Sequence, residues 1–267
     1  MENQATLETI LTEMGEAGKR MCEINASEGA AGNLSVYVAW PLKLESIFPL
    51  RQQVTLQQPA QRLIGGTFIV SGSGCRLRDI HKDPAANLGA LTVNPDGVTG
   101  VLHTSARCAF ARLTSEFNSH FGVHCDQVTR NGYPFHAIVH AQPVHLTYLS
   151  HIPRYRETAF LNERLMRWQP EMVISLAGGL DVLPFQLPGS AELMSANIES
   201  LQTHPLVVWS KHGVMARSEQ SVLRACDRVE YAETAAHYEV LNLSCGEPAN
   251  GLSEEESRRI AKAFGAH

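Results

Sequence analysis

Apolar residues at Leu7, Ile10, Leu11, Met14 and Met21, with charges between them, follow helical spacing and predict an amphipathic helix over residues 6–23. The pattern then changes. GAAGNLSVYVAW (29–40) predicts a Gly/Ala turn feeding a strand, residues 41–66 are Gln- and Pro-rich without a period, and TFIVSGSG (67–74) predicts a strand ending in a Gly-Ser turn. LGALTVNPDGVTGVLH (88–103) predicts a hairpin around Asn94-Pro95-Asp96-Gly97. Helical spacing returns after Thr114 through Phe117, Phe121 and Val128. AIVHA (137–141) reads as a short strand, VISLAGGLDVLPF (173–185) as strand-turn-strand, and Ser190 as the cap of a helix to about Thr203. LVVWSKHGVMAR (206–217) predicts two extended pieces around a turn. Ser218 starts a long helix to about Leu243, and Ser253 with Glu256 forms a capping box for the last one.

Helices and short strands alternate, yet several strand pairs are joined by hairpin-like turns. An α/β fold follows, with a mostly antiparallel central sheet and helices packed on its faces. No linker, repeat or low-complexity run divides the chain, so residues 1–267 read as a single domain, long enough to bury a substantial core. An apolar content of 44% argues against disorder. A net charge of -5 without a basic stripe argues against nucleic acid as a partner. No stretch approaches 18 apolar residues, which argues against a membrane span. The six cysteines form no C-x-x-C pair, and MENQATLETI carries acids where a secretory signal needs bases. A reducing cytoplasm is the expected location.

The common machines are missing. There is no G-x-G-x-x-G opening a helix, no G-x-x-x-x-G-K-[ST] and no G-x-S-x-G elbow. Among 12 histidines, two stand out: His140 ends an apolar strand, and His212 follows the strand LVVW in SKHGVMA. A zinc-bearing strand end often reads His-x-His, because residues i and i+2 share a face. Here the second position is Gln142, an altered ligand or a sign that no metal is held. Thr114-Ser115-Glu116 reads either as a helix cap or as an anion-holding hydroxyl pair beside a base or ligand carboxylate. Ser71-Gly72-Ser73-Gly74 reads either as a plain turn or as a phosphate cradle.

The ordered combination of GNLS, SGSG, TSE, H-x-[HQ]-P, a Pro-Glu pair and KHGV, with DPAANLG (83–89) and LPGSAEL (187–193), resembles the class II (zinc-dependent) aldolase/adducin family from about Ala17 to Phe264. The resemblance implies an aldehyde-lyase that cleaves a ketose 1-phosphate, of the rhamnulose 1-phosphate kind, to dihydroxyacetone phosphate and an aldehyde. Two alternatives stay open: another enediolate enzyme such as an epimerase, and a non-catalytic adducin-like protein. It implies that Asn33, Ser73, Gly74, Thr114 and Ser115 hold the substrate phosphate. The resemblance implies that Glu116 is the catalytic carboxylate, and that His140 and His212, with Glu116, hold a divalent metal, which in the family is zinc. Glu171 matches a carboxylate near the aldehyde half.

Two positions depart from the family pattern. Ala30 stands where an Asn usually opens the Gly-rich turn, and Gln142 stands where the second zinc histidine belongs. His145 starts a helix and is expected to point away; His136 is on the same strand face as His140 but ~13 Å off by strand rise. The resemblance also implies a homo-oligomer, a tetramer with sites at subunit interfaces, and Tyr231 and Tyr238 on the long C-terminal helix are placed to face a neighbour.

Overall fold

The computed structural model describes residues 4–266. Among the described residues, ten α-helices run in chain order as α1 (Leu7–Glu23), α2 (Leu77–Ile80), α3 (Pro84–Asn87), α4 (Phe117–Asn131), α5 (Val144–Leu149), α6 (Thr158–Leu165), α7 (Pro170–Ser175), α8 (Ala191–Ser200), α9 (Val222–Ser244) and α10 (Glu254–Phe264). The strands are β1 (Asn33–Val38), β2 (Leu50–Thr55), β3 (Thr67–Ser71), β4 (Leu88–Val93), β5 (Thr99–Thr104), β6 (Phe135–Ala141), β7 (Leu180–Leu183), β8 (Leu206–Trp209) and β9 (Gly213–Ser218). They form one sheet in the order β2-β5-β4-β3-β1-β6-β9-β8-β7. All neighbours are antiparallel except β7 and β8, which are parallel. The architecture is the α/β sheet with covering helices that the pattern predicts.

The two faces of the sheet carry different cores because strand side chains alternate. Leu34, Val36 and Val38 of β1 point to one face, where they pack with Met14, Met21, Val229 and Ala232 of α1 and α9. Tyr37 of the same strand joins Phe68, Leu91 and Phe121 on the other face, which α4 covers. Beside that cluster, Ile138, Trp209 and Met215 pack with Leu193 and Leu201 around α8. Both β1 faces are buried along its whole length, so the centre of the sheet is dry.

Four local readings need correction. The segment 41–66 contains strand β2, whose residues LRQQVT are almost all exposed; a polar edge strand has no apolar alternation to betray it. VIS of the segment 173–185 is not a strand but the end of α7, which Pro170 opens at its first turn. Thr114 and Ser115 precede α4, whose N-cap position is Glu116 with no side-chain cap bond. Ser218 closes β9, and Ser221 caps α9 by accepting from Arg224 N. The capping box at Ser253 and Glu256 forms as expected.

Candidate active site

The β1–β6 pairing sets Asn33 directly opposite His140. The α4 N-terminus then brings Glu116 against both: Asn33 Nδ2 donates to Glu116 Oε2 at 2.8 Å, and His140 Nε2 lies 3.4 Å from the same oxygen. His212 enters from the β8–β9 turn, its Nε2 3.7 Å from Glu116 Oε1. That turn holds Lys211 at φ +65°, a strained value for a residue with a side chain, and Ser150 Oγ accepts from Lys211 N at 2.7 Å. Gly213 follows because a Cβ there would meet Ala141 O at 2.4 Å. Trp209 buttresses both imidazoles, stacked on His140 at 4.4 Å and tilted against His212 at 5.1 Å, with its indole N–H donated to Asn197 Oδ1.

Glu116, His140 and His212 offer ligand atoms that all lie within 4.8 Å of one another. Four ligands at zinc distances sit roughly 3.4 Å apart around a tetrahedron, and the 3.4 and 3.7 Å contacts suit that spacing. His140 Nδ1 donates to Val214 O at 2.8 Å, which leaves Nε2 as the ring nitrogen that faces Glu116. Glu116 Oε1 is buried with no hydrogen-bond partner, an orphan that a cation would satisfy. Burial pushes His212 down to about 4, so it is a neutral imidazole at neutral pH, the form that binds metals. Burial also works against charge on Glu116, but His140, the Asn33 donor and His212 outweigh it and hold its carboxyl below the ordinary value.

Around this triad lies a cavity of about 200 Å³ lined by Asn33, Ser73, Gly74, Thr114, Ser115 and Gln142, among others. A bridge between Gly72 and Leu113 ties the SGSG turn to the Thr114-Ser115 segment. Gly72 lies so close under the Phe110 ring that a Cβ would sit 2.1 Å from it, and Gly74 turns at φ +80°. Gln142 borders the cavity just past the end of β6, its N–H donated to Ala26 O at 2.7 Å. Ala30 also lines the cavity and offers only a methyl group.

Glu171 is not brought here. It is exposed at the start of α7 and does not line the cavity. His145 turns away to Glu233, 2.7 Å from its Nδ1, and His136 is buried elsewhere. Tyr238 is exposed and Tyr231 is half-buried against the core. Sequence reading missed Trp209, Asn197 and the loop residue Pro188, which lines the cavity. Of these only Pro188 had a signal, its place in the LPGSAEL motif.

Residues 12–240 match the Class II Aldolase and Adducin N-terminal domain family, and the chain belongs to it. A rhamnulose-1-phosphate aldolase of Bacteroides thetaiotaomicron is 26% identical over 266 residues, 99% of this chain and 97% of its own length. One from an Enterobacter species is 31% identical over 212 residues, 79% of this chain and 76% of its own. Among solved structures, a sugar-phosphate aldolase from Thermotoga maritima has a TM-score of 0.77 at 27% identity, covering 92% of this chain and 99% of that one. The protein is a class II aldolase-type enzyme.

Proposed function

We propose that this enzyme is a divalent-metal-dependent aldehyde-lyase that cleaves a ketose 1-phosphate, of the rhamnulose 1-phosphate kind, to dihydroxyacetone phosphate and an aldehyde. The observation that carries the reading is the meeting of Glu116, His140 and His212 at one end of a cavity bordered by two hydroxyl-bearing turns. Glu116, His140 and His212 would hold the ion, with Gln142 as a neutral oxygen donor beside them. A bound ion would polarise the substrate carbonyl and offset the negative charge that develops there.

Glu116 then serves as the proton carrier. In cleavage the carbon–carbon bond breaks as the hydroxyl beside it gives up its proton and becomes the aldehyde, and Glu116, having taken up a proton, passes it to the carbon next to the ketone of the departing three-carbon half; in synthesis both transfers run in reverse. Ser73, Gly74, Thr114 and Ser115 hold the phosphate, with Asn33 joining through its remaining N–H. Glu171, exposed in a single copy, meets the aldehyde half only if a second copy presents it. That agrees with a homo-oligomer, a tetramer by family resemblance. Six unpaired cysteines agree with a cytoplasmic location.

The test is elemental analysis of purified protein followed by assay of rhamnulose 1-phosphate cleavage, with coupled detection of dihydroxyacetone phosphate. Stoichiometric zinc and chelator-sensitive product formation are expected. A metal-loaded protein that releases no dihydroxyacetone phosphate would exclude the lyase and leave an epimerase-type reaction on the same scaffold; a protein that binds no metal would leave an adducin-like binding role.

A further inference from the structure

Behind Glu116 the protein buries a chain of polar side chains that the proposed chemistry does not use. His120 Nε2 meets Asn33 Oδ1, and His120 Nδ1 lies 2.6 Å from Ser35 Oγ. Ser35 Oγ lies 2.7 Å from His124 Nε2, and His124 Nδ1 lies 2.7 Å from His136 Nδ1. Ser35, His120, His124 and His136 are fully buried. Two periodicities build the chain. Asn33 and Ser35 are two apart on one face of β1, while Glu116, His120 and His124 are four apart along α4 and its cap, so the strand residues fit between the helix residues.

The hydrogens along this chain have one consistent arrangement. A carboxylate only accepts, so the Asn33 NH₂ must face Glu116 and its carbonyl must face His120. A carbonyl only accepts, so His120 carries its hydrogen on Nε2. Burial pushes His120 down to about 3, so it is neutral and Nδ1 is a bare lone pair. Ser35 therefore donates to His120 Nδ1 and accepts from His124 Nε2–H. His124, also held neutral by burial, has its lone pair on Nδ1 and must accept from His136 Nδ1–H. Every donor along the chain points towards Glu116. Among the described residues, the unmatched side-chain atoms of this line are Glu116 Oε1 at the site end and His136 Nε2 at the far end. The Asn33 amide interrupts any passage of protons, so the chain orients and polarises rather than conducts.

We propose that His136, His124, Ser35 and His120 form a positioning relay that fixes the Asn33 amide with its NH₂ on Glu116 and so holds the catalytic carboxylate turned towards the His140–His212 pair. The role of Glu116 rests on the lyase reading; the relay geometry does not. If the Asn33 amide turned over, its carbonyl would oppose the carboxylate at hydrogen-bond distance. The His120 N–H is the group that makes that turn unfavourable.

The experiment replaces His120 in the full-length, zinc-loaded protein. Gln keeps an N–H donor near the Nε2 position, Asn is too short to reach Asn33, and Phe keeps the ring shape without donors. Turnover is read as hydrogen–deuterium exchange at the carbinol carbon of dihydroxyacetone phosphate, which needs Glu116 but no aldehyde. The His120→Asn and His120→Phe enzymes are expected to lose ~10–100-fold in kcat, the usual scale for an outer partner of a ligand or base, with KM little changed. The His120→Gln enzyme is expected to recover most of the loss. A folded His120→Phe enzyme with wild-type kcat overturns the proposal, as does a His120→Gln enzyme no better than Phe.

A second measurement is independent of activity. Nitrogen-15 NMR of the labelled wild-type protein should find hydrogen on Nε2 of His120 and His124 and on Nδ1 of His136; any of the three in the other tautomer overturns the relay. Wild-type protein that shows these tautomers without exchanging dihydroxyacetone phosphate overturns the lyase reading and leaves the geometry standing.

Discussion

Under the proposed function, Gln142 and the Thr114-Ser115 pair are where single side chains would decide the chemistry. Gln142 borders the cavity of the Glu116–His140–His212 triad, and its Cγ lies 3.1 Å from where a Cβ on Gly213 would sit, so Gly213 leaves its side chain room. Replacing an amide oxygen with a neutral imidazole favours a borderline-soft ion. Gln142→His is therefore expected to tighten zinc by ~10–100-fold, the scale on which partners of a metal site act, read by competition with a chromophoric chelator. Unchanged affinity would put Gln142 outside the ligand set. Tighter zinc with lost native turnover would mean that the amide serves another ion or reaction. Thr114 is buried and Ser115 exposed on the cavity wall. Thr114→Ala and Ser115→Ala are expected to raise KM for a phosphorylated ketose by about tenfold, the loss of one charge-assisted hydrogen bond, and to leave KM for the unphosphorylated sugar nearly unchanged. Equal effects on both sugars would remove phosphate from the reading.

At the scale of elements, the site depends on how closely helices and turns approach. Helix α1 lies on α2, and at Gly18 a Cβ would come within 2.4 Å of Leu77 O. Gly15 is similar, with a Cβ 2.8 Å from His81 Cα. Alanine in a helix interior gains about 1 kcal/mol over glycine in propensity, whereas forcing a methyl into a packed contact costs about 1–3 kcal/mol. The obstacle at Gly18 is a backbone carbonyl, which cannot swing aside as a side chain can, so the clash is expected to win. Gly18→Ala should lower the urea midpoint; a midpoint equal to or above that of the wild type would show that α1 and α2 separate freely. The same helix pair stands behind the Gly-rich turn, where Gly32 at φ +82° lets the chain pass His140 O and Leu77 into β1. Loosening α2 is thus expected to raise the metal dissociation constant as well.

Across the whole molecule, the buried histidines make stability depend on pH. Burial lowers His120 and His136 from 6.5 to about 3, and His124 well below its ordinary value. Once unfolded, each takes up a proton near pH 6.5, so between about pH 6.5 and 3 the unfolded chain binds more protons than the native one. Stability therefore rises with pH in that window and falls on acidification, by up to about 1.4 kcal/mol per pH unit for each histidine. Urea titrations at pH 7, 6 and 5 should show a midpoint that drops increasingly steeply. A flat profile would mean that these imidazoles are protonated or solvated in the native state.

Much of the fold was legible because its long elements carry a period. The apolar stripe of α1, the alternation at the NPDG hairpin and the cap at Ser253 are local signals, and local signals survive in a linear sequence. Strand β2 escaped because an exposed edge has no buried face to encode. The segment VIS escaped because three apolar residues fit a strand or a helix equally well until Pro170 is placed at the first turn. Glu116, His140, His212 and the two hydroxyl turns could be picked from ordered motifs by resemblance. Their distances could not, since Glu116 and His212 meet only through the sheet order. His120 and His124 looked like ordinary members of a helix, and Ser35 like an ordinary strand residue. Only the pairing of β1 with β6 under α4 aligns a period of two with a period of four, buries five polar side chains in one line and leaves them no side-chain partners but each other and Glu116. The amino-acid order determined which side chains were available and which faces were apolar. The tertiary structure decided which of them lost water together, and that loss turned scattered imidazoles into one directed chain.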